Sequence, residues 1–255
     1  MTVVATVGST HPLAFAGLTF AALALAAEGV RPVCVVAGVT AQDGAHVRSR
    51  IPLDAAAIAA QFDALQAAEV AAFHVGALLS ADAVRAVARG LAAYPGIPVV
   101  LDPVLAASGG DALADAATRD SLRTTLLPRA TLVTPNLGEA TALLGRPVET
   151  LGTMREAATA LVALGAGAAL VKGGHLDGDP VDVLAEACGT RELRAARVAG
   201  TMRGTGDLLA VTIAAALARG ETLDAAIERA RRRVRAAIAD AEPFAGTRVA
   251  RWDQR

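Results

Sequence analysis

A glycine-rich turn directly before an apolar helical run is the first candidate for chemistry. The turn comprises Gly204, Thr205, Gly206 and Asp207. Backbone N–H groups at such a helix start, together with the helix dipole, can converge on an anion. If a transferring phosphoryl group lay there, the Asp207 carboxylate could accept a proton from an attacking hydroxyl. The alternative is an ordinary helix start, because glycine, threonine and aspartate are common at such positions.

Asn136 and Glu139 form a second polar pair at the start of another predicted helix. A spacing of three places both side chains on one side of the first helical turn, where their oxygens could organise a hydrated Mg²⁺. The same spacing fits a capping box, in which each side chain bonds the backbone of the other residue. The pair taken alone favours capping.

Three further polar residues follow predicted strands. Lys172 precedes two glycines, so its ammonium could reach phosphate oxygens over an unobstructed backbone, although it could also be a solvated strand end. Asp102 could help to order a metal ion or the reacting phosphate, or could simply end its strand in a turn. His175 could contact nucleotide or hydrogen-bond its own loop.

These residues need a scaffold that gathers the ends of several strands. Short β-branched runs alternate with longer Ala- and Leu-rich stretches, which predicts βαβ units around a mostly parallel sheet. The carboxyl ends of its strands meet at one edge, where ligands bind. The predicted strands are residues 3–7, 33–39, 70–75, 97–101, 131–134 and 168–171, with a later hairpin at 181–184 and 193–198. The predicted helices are residues 16–27, 54–67, 81–93, 114–126, 137–144, 154–164, 205–218 and 223–241.

The composition of the 255 residues excludes several classes of protein. With 54% hydrophobic and 19% charged residues, the chain is too apolar for disorder. Its 24 Lys+Arg balance 25 Asp+Glu and only 3% of residues are aromatic, which disfavours nucleic-acid binding. Because neither a repeat nor a linker divides the sequence, we expect one domain over residues 1–255 that binds a small molecule.

Residues 13–27 are apolar enough to imitate a signal peptide, but no Lys or Arg precedes them. They are also shorter than the roughly 20 residues of a membrane-spanning helix. We therefore expect a buried helix, a cytoplasmic protein and no membrane partner. Cys34 and Cys188 follow no metal-type spacing, and the apolar run around Cys34 predicts a buried position.

Four motifs, at residues 102–104, 134–139, 172–175 and 204–207, carry a resemblance to a known family. Their order and spacing resemble the ribokinase-like superfamily of small-molecule kinases, and most of all the hydroxymethylpyrimidine and phosphomethylpyrimidine kinases of thiamine biosynthesis. The likeness implies an α/β fold, a three-layer α/β/α sandwich with a mostly parallel central sheet. It also implies ATP with Mg²⁺ and transfer of the γ-phosphoryl group to a hydroxymethyl group. The likeness covers most of the chain, at residues 39–42, 101–111, 134–139, 172–175 and 204–220.

The resemblance also implies a role for each motif residue. Gln42 would hydrogen-bond the polar edge of the pyrimidine, since an amide both donates and accepts, although a polar loop residue is an equal alternative. The other implied roles are an anion hole at Gly204, Thr205 and Gly206, a base at Asp207, nucleotide contacts at Lys172, Asn136, Glu139 and His175, and metal contacts at Asp102 and Glu139.

The sequence departs from the family pattern in three places. Asp207 stands where the pyrimidine kinases usually carry Cys, whereas ribokinases and many pyridoxal kinases carry Asp. The glycine-rich ending of the family is missing from residues 242–255, where Trp252 is expected to pack the tail onto the body. The loop after the first strand is longer by one residue and more apolar, and Ala21 stands where the family has an acidic contact to the substrate.

This altered loop bears on the choice of substrate. Gly8, Thr10 and His11 are its candidate substrate contacts, and His11 could replace the lost acidic contact. We expect a hydroxymethylpyrimidine kinase, with a pyridoxal or pyridoxine kinase as the first alternative and a catalytically weak ligand-binding homologue as the second. We also expect a homo-oligomer, either a dimer or a trimer, and leave a requirement for K⁺ open.

Overall fold

A central sheet of nine strands forms the core of the computed structural model, which describes residues 1–43, 45–174, 176 and 178–252. The order is β3-β2-β1-β4-β5-β6-β7-β8-β9, and neighbours from β2 to β7 are parallel while β3, β8 and β9 pair antiparallel. The predicted mostly parallel sheet is therefore confirmed. The strands are β1 (Val3–Thr10), β2 (Arg31–Gln42), β3 (Val47–Pro52), β4 (Val70–Val75), β5 (Val99–Leu101), β6 (Leu132–Val133), β7 (Ala169–Val171), β8 (Val181–Glu186) and β9 (Gly189–Arg194).

Helices cover both faces of this sheet. The α-helices are α1 (Gly17–Ala27), α2 (Ala55–Leu65), α3 (Ala81–Leu91), α4 (Ala116–Ser121), α5 (Leu137–Leu144), α6 (Leu151–Ala163), α7 (Thr205–Ala218) and α8 (Leu223–Ala239). Successive strand residues point to opposite faces. Accordingly, Val4 packs with α1, α7 and α8, whereas Ala5 and Val7 pack with α2, α3, α5 and α6. The result is the expected three-layer α/β/α sandwich.

Two predicted strands differ from those in the structure. β2 extends through residues 40–42, beyond the predicted end at residue 39, because it pairs there with β3. β3 itself was missed, since its sequence is polar and mostly exposed. The prediction of a strand at 193–198 was wrong: β9 begins at Gly189 and pairs with Glu186 across a short turn. The mixed polar sequence of this edge strand concealed it.

The prediction of a buried Cys34 was also wrong, because its side chain is exposed. β3 pairs with β2 only from Gly38 onward, so the first half of β2 forms the edge of the sheet. The predicted helix at 114–126 is shorter as an α-helix. Asp115 caps α4, and a π-helical turn at Leu122–Leu126 follows it.

The end of the described chain forms a second, two-stranded sheet. Its strands are β10 (Glu242–Phe244) and β11 (Thr247–Val249). Trp252 packs its ring against Phe20 of α1 at a centroid distance of 5.2 Å, which confirms that it holds the tail to the body. Of the helices in the described part of the chain, none combines the length and apolar character needed to cross a membrane.

Two helical glycines provide a test of the packing between α2 and α3. A methyl group on Gly90 of α3 would collide with the Phe62 ring, which stacks on Phe73 at 6.2 Å. Gly90→Ala should therefore destabilise the protein by about 1–3 kcal/mol, despite the better helix propensity of alanine. Gly152→Ala, at an exposed position in the first turn of α6, is the control and should stabilise the protein by up to about 1 kcal/mol. Urea unfolding measures both, and a stabilising Gly90→Ala would contradict this packing.

Candidate active site

The carboxyl ends of β4, β5, β6 and β7 are joined by backbone hydrogen bonds. Asp102, directly after β5, donates its backbone N–H to the carbonyl of Val75 in β4 at 2.8 Å. Lys172, directly after β7, donates its N–H to the carbonyl of Pro135 at 2.8 Å. These bonds continue the sheet beyond the strands. They bring two residues separated by 70 positions to the same edge, as the parallel topology predicts.

The side chains of Lys172 and Asp102 form an ion pair at this edge, in which Asp102 is buried and Lys172 is largely buried. Lys172 Nζ lies 2.8 Å from Asp102 Oδ1, and the Thr134 hydroxyl donates to the same oxygen at 3.2 Å. Burial alone would lower the pKa of Lys172, but the carboxylates of Asp102 and Glu139 outweigh it and raise that pKa. The ammonium therefore stays charged, and it is available to bind a second anion.

Asn136 and Glu139 form the capping box that their spacing favoured. Glu139 donates its backbone N–H to Asn136 Oδ1 at 2.9 Å, and Asn136 donates its N–H to Glu139 Oε2 at 2.8 Å. Burial raises the pKa of Glu139 to about 7, against the opposing influence of Lys172. The cap engages Oε2, so the other carboxylate oxygen can serve a second partner. Capping and metal binding are thus compatible at this position.

Helix α7 begins directly against the ion pair. A Cβ on Gly206 would lie 3.1 Å from both Asp102 Oδ2 and Lys172 Nζ, and a Cβ on Gly204 would lie 2.6 Å from the carbonyl of Phe15. Gly204 also has a φ of +76°, in the region that favours glycine. The two glycines allow this close approach. As a result, the backbone at the start of α7 lies beside the ammonium of Lys172.

Asp207, in the first turn of α7, is a buried carboxyl group. Its Oδ2 accepts a hydrogen bond from the backbone N–H of Gly17 at 3.3 Å. Burial raises the pKa of Asp207 to about 7, and the Asp102 carboxylate adds to the shift, while the Gly17 bond opposes it. A carboxyl group with this pKa exchanges a proton readily at neutral pH. It therefore suits a general base.

The charges of this cluster fit a divalent cation. Among the described residues, Asp102, Glu139 and Asp207 lie around one ammonium, that of Lys172. Burial is the main cause of the raised pKa values of Glu139 and Asp207, and the neighbouring Asp102 carboxylate adds to both shifts. Within the described ranges, no group of three His, Cys, Asp or Glu side chains is arranged to hold a metal ion. The candidate ligands are Asp102 and the carboxylate oxygen of Glu139 that the cap leaves free, and Mg²⁺ takes few protein ligands beside phosphates because it keeps several waters.

The predicted substrate contacts lie in two places. Gly8 packs against the backbone of Ala77, and the Thr10 hydroxyl bonds that of Thr19 at 2.7 Å. His11 is buried against the Phe15 ring, beside the Gly17 that bonds Asp207. The loop between β1 and α1 therefore reaches the candidate site, where Gly17 at its end bonds Asp207.

Gln42 lies elsewhere, on the hairpin formed by β2 and β3. It is opposite Val47 at the carboxyl end of β2, and the turn that contains Gly109 contacts this hairpin at Ala45. The structure therefore groups Asp102, Asn136, Glu139, Lys172 and the α7 start around one point, but gives Gln42 no bond to them within the residues it describes. His175 falls outside those residues.

Sequence reasoning missed His74, which lies in β4 two residues before Gly76. Its Nδ1 is 2.9 Å from the Thr6 hydroxyl oxygen. Burial lowers the pKa of His74 to about 4, which keeps the ring neutral. The signal available in the sequence was a single histidine in an otherwise apolar strand, with a glycine directly after the end of that strand.

Comparison with known proteins identifies the family. Residues 16–250 match the phosphomethylpyrimidine kinase family. The chain is 39% identical over 222 residues to the hydroxymethylpyrimidine/phosphomethylpyrimidine kinase of Streptomyces coelicolor, covering 86% of this chain and 82% of that protein. It is also 39% identical over 213 residues to the thiamine biosynthesis bifunctional protein ThiED of Geobacter sulfurreducens, covering 82% of this chain but only 44% of that protein.

A solved structure supports the same assignment at the level of the fold. The ADP complex of Bacillus subtilis pyridoxal kinase superposes with a TM-score of 0.91 at 26% identity, covering 99% of this chain and 97% of that chain. The similarity extends over the whole sandwich and both helical layers. Together with the sequence match, it shows that this chain belongs to the phosphomethylpyrimidine kinase family.

Proposed function

We propose that this protein is an ATP- and Mg²⁺-dependent kinase that phosphorylates the hydroxymethyl group of hydroxymethylpyrimidine in thiamine biosynthesis. The observation that carries the proposal is the position of Asp207, a buried carboxyl group with a pKa near 7 at the start of α7, beside the Lys172–Asp102 ion pair. Membership of the phosphomethylpyrimidine kinase family supports the choice of substrate.

The proposed transfer uses each part of this cluster. The substrate oxygen attacks the γ-phosphorus of ATP, its proton passes to Asp207, and the bond to the bridging oxygen of ADP breaks. The N–H groups of residues 204–206 bind the transferred phosphoryl group, and Lys172 binds the nucleotide phosphates. Mg²⁺, organised by Glu139 and Asp102, would supply the positive charge that the cluster lacks. Positioning and charge stabilisation provide most of the catalysis in such reactions.

A second phosphorylation, of hydroxymethylpyrimidine monophosphate, would use Asp207 less. A phosphate oxygen is already ionised at neutral pH, so it needs little help from a base. The same anion hole and the same ammonium would still be required. The two steps should therefore differ in their dependence on Asp207.

Pyridoxal or pyridoxine is the alternative acceptor. Asp207 and the buried pair of His11 and Phe15 in the first loop favour this alternative, as does the similarity to Bacillus subtilis pyridoxal kinase. The test is ADP release with Mg·ATP against hydroxymethylpyrimidine, its monophosphate, pyridoxal, pyridoxine and simple sugars. Turnover on the pyrimidines supports the proposal, and turnover on pyridoxal alone selects the alternative. ATP binding without turnover would indicate a ligand-binding homologue.

Four expectations from the sequence stay predictions. They are a cytoplasmic location, a dimeric or trimeric assembly, one domain over residues 1–255 and a possible use of K⁺. Size-exclusion chromatography with light scattering addresses the assembly, and activity in K⁺ against Na⁺ buffers addresses the monovalent ion.

Asp207→Asn tests the proposed base. We expect kcat on hydroxymethylpyrimidine to fall by about 10²- to 10⁴-fold, because the hydroxyl loses its proton acceptor. In the unmodified enzyme kcat/KM should rise with pH through about 7 as Asp207 ionises, and this limb should be absent from the variant. Asp54→Asn, at the N-cap of α2 away from the cluster, is the matched control. Full kcat in Asp207→Asn would exclude the role.

The same substitution should change stability with a defined pH dependence. The pKa of Asp207 is about 7 in the folded protein, above its usual value near 3.8, so folding favours the protonated form. The penalty is therefore absent below about pH 4, grows as the pH rises from about 4 to about 7, and is fully present above about 7. Asp207→Asn should stabilise the protein at pH 8 by on the order of 1–4 kcal/mol, with the gain vanishing towards pH 4. Urea unfolding at several pH values measures this, and a pH-independent difference would contradict it.

His11→Ala tests the proposed substrate contact in the first loop. Neither ring nitrogen of His11 makes a hydrogen bond of good geometry within the described residues, although the side chain is buried and the Ala16 backbone lies nearby. If substrate supplies such a bond, the variant should raise KM for the acceptor by about 10-fold, the equivalent of one hydrogen bond, while KM for ATP stays constant. Unchanged KM values for both substrates would remove His11 from the site.

A further inference from the structure

His74 presents an unpartnered ring nitrogen next to the candidate base. Its side chain is 2% exposed, and Nδ1 is held by the Thr6 hydroxyl at 2.9 Å. Nε2 is buried and, among the described residues, has no hydrogen-bond partner. A buried polar atom without a hydrogen-bond partner destabilises the folded protein. Because this nitrogen lies beside the candidate reaction centre, we expect a ligand to supply its missing hydrogen bond.

Gly76 leaves a small space in front of this nitrogen. A Cβ built on Gly76 would lie 3.9 Å from His74 Nε2, 3.5 Å from His74 Cε1 and 3.9 Å from Asp207 Oδ1. One point in the structure thus faces both polar atoms. The backbone of Gly76 is not among the glycines with positive φ, so its conformation does not require glycine. What the missing side chain provides at this position is the space itself.

The two polar atoms that face this space are complementary to an oxygen that carries a proton. Asp207 Oδ2 is occupied by the Gly17 N–H, which leaves Oδ1 as the acceptor on this side. The Thr6 hydroxyl can accept from His74 Nδ1 or donate to it, so Nε2 can be either an acceptor or a donor. As a donor, Nε2–H would hydrogen-bond to the oxygen of a hydroxyl group whose own proton points to Asp207.

We propose that the space above Gly76 is a subsite for one hydroxyl-type oxygen, bound between His74 Nε2 and Asp207 Oδ1. The oxygen accepts from Nε2–H and donates its proton to Asp207. It belongs either to the acceptor alcohol or to a bound water that orients the carboxylate. His74 is then a positioning residue for the transfer, and the catalytic part of this inference rests on the proposed function.

Two substitutions remove the subsite in different ways. Gly76→Ala fills the space, and its methyl group would make only ordinary van der Waals contacts of 3.5–3.9 Å, so the variant should fold normally. His74→Phe keeps an aromatic ring but lacks Nε2, and His74→Gln restores a polar atom at a similar reach. Thr212→Val is the matched control, because it removes another buried and unpartnered oxygen from the described part of α7.

Steady-state kinetics provide the first test. On the alcohol that the unmodified protein phosphorylates, kcat/KM should fall by about 10- to 100-fold in Gly76→Ala and in His74→Phe, the equivalent of one or two hydrogen bonds. The double variant should lose little more, because both changes remove the same oxygen. His74→Gln should recover part of the loss, and Thr212→Val should match the unmodified protein. Unchanged kcat and KM in a folded Gly76→Ala would overturn the proposal.

Binding measurements identify the source of the oxygen. Calorimetry compares hydroxymethylpyrimidine with the analogue that carries a methyl group in place of the hydroxymethyl group. If the subsite takes the substrate alcohol, Gly76→Ala weakens binding of the alcohol but not of the methyl analogue. If it takes a water, both ligands bind as before and only kcat falls. Either result supports the subsite.

A crystal structure tests the subsite independently of the proposed function. In the unmodified protein, an oxygen should lie within about 3 Å of both His74 Nε2 and Asp207 Oδ1, and it should be absent in Gly76→Ala. An empty space in the unmodified protein, at a resolution that shows buried waters, would overturn the proposal. Absence of turnover on every alcohol, with this oxygen present, would instead contradict the proposed function alone.

Discussion

The site depends on one buried ion pair between Lys172 and Asp102. Two strand ends and the start of α7 meet at this pair, and the Gly206 backbone approaches both of its charged groups. Removal of one partner from such a pair leaves an uncompensated buried charge, which costs about 3–5 kcal/mol. The pair therefore fixes the distance between the sheet edge and the start of α7.

The same pair does not balance the charge around it. Glu139 and Asp207 lie near a single ammonium that Asp102 already engages, and burial raises the pKa of both carboxyl groups to about 7. A cluster selected for stability alone would avoid this imbalance. Binding sites accept such costs because the missing charge arrives with the ligand. Under the proposed function, the ligand is a nucleotide with its Mg²⁺.

The sequence predicted the parts of this structure that follow from strand and helix periodicity. The parallel sheet and the position of Asp102 and Lys172 at its edge follow from apolar runs that end in polar residues, whereas Asp207 was predicted from the glycine-rich turn at the start of α7. The capping box of Asn136 and Glu139 was also readable, because it depends only on local spacing.

What the sequence concealed depends on contacts between distant segments. β3 and β9 are polar edge strands, so they lack the alternation that reveals a half-buried strand. Cys34 is exposed because β3 pairs with β2 only from Gly38 onward, and the register of this pairing cannot be read from the sequence. His74 and Asp207 both face the space above Gly76, where the end of β4 meets α7. Their spacing along the chain does not indicate this proximity.

The measurement that tests the central claim most directly is the effect of Mg²⁺ on ATP binding to the unmodified protein and to Glu139→Gln. Glutamine keeps an oxygen for the cap on Asn136 but removes one of the unbalanced charges. The account predicts that Mg²⁺ tightens ATP binding to the unmodified protein, and that this gain is smaller in Glu139→Gln while both proteins remain folded. An identical gain in the two proteins would contradict the claim that the carboxylate excess serves to bind the cation.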